Sequence, residues 1–192
     1  DAVTVNPYMG VDSVVPFTKD PSKGVFVLCK TSNPSSQELQ ELYLNGGRDG
    51  GGDKWALFEQ TASLASKSWN GNRNVGLVVG ATDVDALQRT RAAAPDLWIL
   101  APGIGAQGGD LAAATAKGLR ADGKGLLVPV SRGIARAEDP KTAAEELRAQ
   151  MNEARKKCVA ATVVDGGSEA KASDSSAVAV VPMKGYQRDF IR

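Results

Sequence analysis

Residues 97–110 read Leu97-Trp98-Ile99-Leu100-Ala101-Pro102-Gly103-Ile104-Gly105-Ala106-Gln107-Gly108-Gly109-Asp110. Four apolar residues suited to a strand run into a glycine-dense turn, and Asp110 stands where a helix would open. Such a turn lets backbone N–H groups come close to an anion, and a helix N-terminus favours negative charge. Further on, the apolar residues 126–130 end in Ser131-Arg132-Gly133. Two strand ends of this kind, side by side, are read as a phosphate clamp.

The same alternation extends in both directions. Apolar runs at residues 2–5, 25–29, 75–79, 97–100 and 126–130 predict five strands. Their near-continuous hydrophobicity predicts burial on both faces. Trp55, Leu57, Phe58, Ala62, Ala65 and Trp69 mark one face of a helix over residues 55–69. Residues 84–94 follow Thr82-Asp83 and residues 111–117 follow Asp110, both good capping chemistry. Residues 140–157 follow Asp139, carry Pro140 in the first turn and end in Arg155, Lys156 and Lys157, as the helix dipole prefers. Strands alternating with helices predict a parallel sheet with right-handed crossovers, with ligands at the C-terminal strand ends. The expected fold class is α/β, a (β/α)8 TIM barrel. Eight units take roughly 250 residues, so residues 1–158 are expected to hold only about the last five β/α units.

Two stretches read as something other than scaffold. Residues 45–54 are glycine-rich but lack the Gly-Lys-Ser/Thr of a nucleotide-binding loop, and are expected to be a mobile surface loop. Residues 160–177 are rich in Ala, Ser, Gly and Asp. The expected division is a partial barrel over 1–158, a flexible linker over 159–185, and the start of a further domain over 186–192.

Composition narrows the chemistry. The 192 residues hold 23 Lys plus Arg against 22 Asp plus Glu, a net charge of +1, which gives no support to nucleic-acid or membrane binding through bulk charge. No apolar run approaches the roughly 20 residues of a membrane span. No basic segment precedes an apolar one near residue 1, so no signal peptide is expected. Cys29 reads as a core thiol, and with Cys158 the only other cysteine, a disulfide framework is not expected. A reducing, cytoplasmic setting follows, with organellar targeting left open. With no histidine in the chain, a Ser-His-Asp triad and histidine metal sites are excluded here.

Five segments, in order, carry a family resemblance: Asp1-Ala-Val-Thr-Val-Asn-Pro-Tyr-Met-Gly10, Val25-Phe-Val-Leu-Cys-Lys-Thr-Ser-Asn-Pro34, Val75-Gly-Leu-Val-Val-Gly-Ala-Thr82, the turn at 102–110, and Val130-Ser-Arg-Gly-Ile134. They resemble the orotidine 5′-phosphate decarboxylases. The resemblance implies a dimeric (β/α)8 barrel that uses no cofactor and no metal. It implies loss of the 6-carboxylate of orotidine 5′-phosphate to give UMP, in pyrimidine biosynthesis. The family's catalytic Lys and aspartates would lie upstream of Asp1, so no catalytic residue is assigned here and residues 1–192 alone are expected to be inactive. Tyr186-Gln-Arg-Asp-Phe-Ile191 resembles the opening of an orotate phosphoribosyltransferase domain, which implies a bifunctional UMP synthase.

Each candidate side chain has a plain reading beside the functional one. Arg132 is either a phosphate fork or a surface ion pair; the resemblance favours phosphate, with Gly133 adding an N–H. Gln107 is a solvent-facing turn residue or, by resemblance, a phosphate and base contact on a closing loop. Pro102 and Gly103 shape that turn, and the resemblance implies that Pro102 packs on the base. Thr31-Ser32-Asn33-Pro34 is good turn chemistry, while the resemblance implies that Ser32, with Thr31 beside it, reads the pyrimidine edge. Asn6 starts a turn or lines the pocket. Lys30 does not match the family's lysine and is expected to pair with an acid or face solvent. Two other functions compete: a different phosphate-binding barrel enzyme, such as an isomerase or aldolase, and a non-catalytic pyrimidine-nucleotide-binding or assembly module.

Overall fold

The structure, a computed structural model, describes residues 1–44, 54–105 and 107–165, with side chains to residue 160. The elements follow in chain order: β1 Ala2–Val5, α1 Val11–Thr18, β2 Gly24–Lys30, a 3-10 turn Pro34–Ser36 running into α2 Gln37–Gln40, β3 Tyr43–Leu44, β4 Trp55–Ala56, α3 Leu57–Lys67, β5 Val75–Val79, α4 Val84–Ala93, β6 Trp98–Leu100, α5 Leu111–Gly118, β7 Leu126–Leu127, α6 Arg132–Ala135 and α7 Pro140–Asp165. Strands β1, β2, β5, β6 and β7 pair in that order, all parallel. All five C-terminal ends therefore lie along one edge. β3 and β4 form a separate antiparallel pair.

The sheet has two unlike faces. Val25, Val27, Leu77, Val79, Ile99 and Leu126 are buried beneath helices that contribute Phe58, Ala62, Leu87, Ala114 and Met151. On the other face, the register sets Phe26 beside Gly76 and Gly76 beside Trp98. There Phe26, Leu28, Leu100 and Leu127 are only half-buried and Trp98 is exposed. Gly76 lets the Phe26 ring lie across it, because a Cβ would come within 2.7 Å of the ring. Burial on both faces was the expectation; among the described residues one face is closed and the other stays partly open. Continuous hydrophobicity is what the inner wall of a curved sheet requires, and it cannot tell which described elements will cover that wall.

Several boundaries differ from the sequence reading for local reasons. α3 starts at Leu57 and not at Trp55, because Trp55 and Ala56 pair with Leu44 and Tyr43. Glu59 accepts the Ala56 N–H at 2.8 Å in the first turn. β7 stops at Leu127, where residues 126–130 were expected; Pro129 lacks the N–H that a ladder needs. α1 forms in a stretch that the sequence pattern does not mark as a helix, with three valines and Pro16 in eight residues. Tyr8, Met9, Val11 and Phe17 lie exposed on and before it. α7 runs through Asp165, past the boundary expected after residue 158. Residues 158–164 contain no Gly or Pro to stop it, and the next glycines are Gly166 and Gly167. The glycine-rich loop, the rest of the expected linker and the opening of a further domain lie outside the described residues. The expected N-caps hold: Asp83 Oδ1 accepts the Ala86 N–H at 2.9 Å, and Asp110 Oδ1 accepts the Ala113 N–H at 3.0 Å. Cys29 is a core thiol as expected, donating to the Phe58 carbonyl at 3.1 Å, and burial pushes its pKa up to about 12.

The N-terminal edge of the sheet is drawn together by a side chain that periodicity does not flag. The Arg91 guanidinium donates to the carbonyls of Gly118, Ala94, Pro95, Leu97 and Gly125. It thereby joins the end of α4, the end of α5 and the entries to β6 and β7. Burial, helped by the nearby Arg120, lowers its pKa to about 10, so it stays charged at neutral pH. Arg91→Met strands these carbonyls, and unmet buried acceptors cost about 1–3 kcal/mol each before relaxation. The expected outcome is a loss of at least about 3 kcal/mol in urea unfolding of the full-length protein; a loss under about 1 kcal/mol would show that water replaces the guanidinium.

Candidate functional site

The C-terminal edge of the sheet is stitched by backbone bonds from strand to strand. Gly80 N–H donates to Lys30 O at 2.8 Å, Ala81 N–H to Pro102 O at 2.7 Å, and Ala101 N–H to Leu127 O at 2.8 Å. The residues just beyond β2, β5, β6 and β7 are thus held in one row; Thr31, Ser32, Pro102 and Gly103 follow directly on it, while Asn6 follows β1 and Arg132 comes later, at the start of α6.

The turn after β6 closes on itself. Gly109 N–H donates to Gly103 O at 3.0 Å, and Gly108 N–H to Gly105 O at 2.8 Å. Gly103 has φ +113°, a conformation that side chains rarely adopt. The Gln107 side chain folds back over it: a Cβ at Gly103 would lie 3.0 Å from Gln107 Oε1 and 3.4 Å from Thr82 Cγ2. Gln107, Pro102, Gly103 and Thr82 therefore form one surface, with Gln107 itself exposed. The sequence carried no sign that Thr82 belongs to it.

Ser32 approaches the same row from β2. A Cβ at Gly80 would stand 3.0 Å from Ser32 Cβ, so glycine is what allows the contact. Ser32 is exposed, and its hydroxyl has no partner among the described residues. Thr31 is engaged: its N–H donates to Gln40 Oε1 at 2.8 Å, and its hydroxyl donates to Asn33 Oδ1 at 2.6 Å and accepts from Gln40 Nε2 at 2.9 Å. Asn6 fills its turn role, Oδ1 accepting the Tyr8 N–H at 3.0 Å.

Two cations at this edge differ completely. Arg132 and Gly133 are exposed at the start of α6, and Arg132 makes no ion pair with any described residue. Lys30 is buried, with Nζ 2.8 Å from Ser36 Oγ, 3.0 Å from Glu41 Oε1 and 4.0 Å from Asp83 Oδ2. Its expected pairing with an acid is what the structure has. The cause is a bulge in β2: Leu28 pairs with Val78, but Lys30, not Cys29, pairs with Val79. Straight alternation would put Lys30 on the inner face with Leu28; the one-residue slip sets it on the helix-covered face with Val79. No sequence signal marks that slip. Among the described residues, no group of three His, Cys, Asp or Glu side chains could hold a metal ion. No helix among them is long and apolar enough to cross a membrane.

Comparison with known proteins gives one answer. Residues 1–147 match the model of the orotidine 5′-phosphate decarboxylase / HUMPS family. The orotidine 5′-phosphate decarboxylase of Roseiflexus castenholzii is 45% identical over 161 residues, covering 80% of this chain and 57% of that protein. That of Haloarcula marismortui is 52% identical over 134 residues, covering 70% and 45%. Among solved structures, UMP synthase of Leishmania donovani superposes with a TM-score of 0.74 at 56% identity, covering 80% of this chain and 33% of that one. OMP decarboxylase of Leishmania donovani gives 0.71 at 53% identity, covering 81% and 57%. The chain spans about half the length of the curated relatives it matches.

The turn geometry separates two glycines. Gly103→Ala meets both the backbone strain and the Gln107 side chain, whereas Gly105, at φ +78°, has nothing within 4 Å of its Cβ position. Gly105→Ala is expected to cost about 1 kcal/mol and Gly103→Ala about 2–3 kcal/mol in urea unfolding. Hydrogen exchange at the Gly109 amide should rise only in the Gly103 variant. Equal costs with unchanged exchange would mean that Gln107 does not seat there.

Proposed function

The chain belongs to the orotidine 5′-phosphate decarboxylase / HUMPS family, and from that premise we propose that it supplies the phosphate- and base-binding half of a decarboxylase that turns orotidine 5′-phosphate into UMP. Its fold is the corresponding part of an α/β TIM barrel. The observation that carries the proposal is that Ser32, the Gln107–Gly103 turn and Arg132 all follow C-terminal strand ends of one parallel sheet, the Ser32 hydroxyl and the Arg132 guanidinium without a partner among the described residues, within a chain matching the family over residues 1–147.

In this reading, Arg132 and the Gly133 N–H grip the 5′-phosphate. Arg stays charged and presents a planar fork to phosphate oxygens. Gln107 reaches both phosphate and a pyrimidine carbonyl, since its amide carries donors and an acceptor. Pro102 packs on the base, Gly103 gives the backbone its approach, and Ser32 reads the polar edge. Asn6, whose Oδ1 holds the Tyr8 N–H, and Thr31, engaged with Gln40 and Asn33, stand beside the pocket and support its loops. In the reaction the C6–carboxylate bond breaks, carbon dioxide leaves, the electron pair stays on C6, and a proton is delivered to C6. The residues named here act at a distance from C6. Their contribution is binding energy from the phosphate and base, used to close the loop and hold the reacting carbon in place.

The finer partner readings belong to the same proposal: a homodimer, a fused orotate phosphoribosyltransferase domain over residues 186–192 and beyond, and work in the cytoplasm. The likeness to a UMP synthase supports the fusion. An aldolase or isomerase reading would need a catalytic Lys or Glu at these strand ends, and there Lys30 and Glu41 are paired with each other. The only lysine there among the described residues is Lys30, buried and paired.

Arg132→Ala in the full-length protein is expected to weaken UMP binding about 100-fold, the loss of a bidentate charge-assisted pair, and to lower kcat/KM for orotidine 5′-phosphate at least as much. Calorimetry with UMP and a decarboxylation assay measure both; near-normal values would reject the clamp.

A further inference from the structure

We infer that Lys30 is a positioning residue for the base contact: its buried ammonium clamps the loop that carries Ser32 against the turn after β5. This rests on the reading of Ser32 as the residue that meets the pyrimidine edge.

The chain leaves β2 at Lys30, passes through Thr31 and Ser32, and returns by the 3-10 turn and α2 to Glu41. Gln40 closes the excursion on Thr31. Lys30 then holds it at two points, Ser36 Oγ at 2.8 Å and Glu41 Oε1 at 3.0 Å. The ammonium also faces Asp83 Oδ2 at 4.0 Å, while Asp83 Oδ1 caps α4. One cation therefore joins the loop bearing Ser32 to the turn bearing Gly80, and Gly80 is the residue that Ser32 packs against.

Energetics favour a single loop geometry. A buried ammonium is costly unless hydrogen-bonded and paired. Ser36, itself buried, and Glu41 satisfy Lys30 only when the loop is folded back over it. Other loop positions would leave the ammonium only the more distant Asp83 carboxylate, at 4.0 Å. Because the bulge sets Lys30 on the helix-covered face, it acts on the pocket through Ser32 and does not enter it.

The test is binding of UMP and of ribose 5-phosphate, which lacks the base, to the full-length protein. The variants are Ser32→Ala, Lys30→Met, their double, Lys30→Arg and Ser36→Ala. Lys30→Met is expected to weaken UMP about tenfold and ribose 5-phosphate less than twofold, and Lys30→Arg to return UMP affinity to within about threefold of wild type. On the Ser32→Ala background, Lys30→Met should cost less than about twofold more, as coupling through Ser32 requires. Ser36→Ala, which keeps the charge and its acid, should weaken UMP about threefold, and it decides the matter if Lys30→Met does not fold. Unchanged UMP affinity in Lys30→Met, equal losses for both ligands, a fully additive double, or unchanged UMP affinity in Ser36→Ala would overturn the inference. Full UMP affinity in Ser32→Ala, or a wild type that fails to bind UMP, would instead overturn the base-contact reading and the positioning role with it.

Discussion

Parallel pairing in chain order is the constraint on which everything else in this molecule depends. Each strand must be followed by a crossover that returns the chain to the starting edge, so helices fill one face and turns collect at the C-terminal ends. The backbone bonds from Gly80 to Lys30, from Ala81 to Pro102 and from Ala101 to Leu127 continue that pairing past the strands. Distant stretches, Thr31–Ser32 and the turn beyond Pro102 among them, thereby become neighbours. The opposite edge serves stability. There Arg91 gathers five carbonyls, and its positive charge is spent on the backbone.

Charge at the functional edge is divided between two cations with opposite fates. Lys30 is surrounded by a hydroxyl and two acids, and its charge organises a loop. Arg132 lies exposed with no acid paired to it among the described residues, which leaves its fork for a ligand. The difference comes from position. The bulge in β2 turns Lys30 under the helices, while α6 begins with Arg132 at the rim. Glycine does corresponding work on the backbone side, where Gly80 admits Ser32 and Gly103 admits Gln107. Both contacts need the room that an absent Cβ leaves.

By itself the sequence determined the order and type of the main elements and the place of the ligand edge. Period, caps and punctuation are local signals: apolar runs for the strands, Asp83 and Asp110 for two helix starts, Gly103 to Gly109 for the turn. It also carried Arg132, Gln107 and Ser32 as candidates, because a family pattern resides in residue identity and spacing. It did not determine α1, where valines and Pro16 argue against the helix that forms, or the end of β7 at Leu127. Nor did it determine which face of the sheet would be covered, since both faces carry the same kind of residue. Only the tertiary structure decided the fate of Lys30, the seat of Ser32 on Gly80, the meeting of Thr82 with the Gly103 turn, and the five-carbonyl role of Arg91. Each of these depends on residues far apart in the chain, or on a one-residue slip in register, and neither leaves a periodic trace in the sequence.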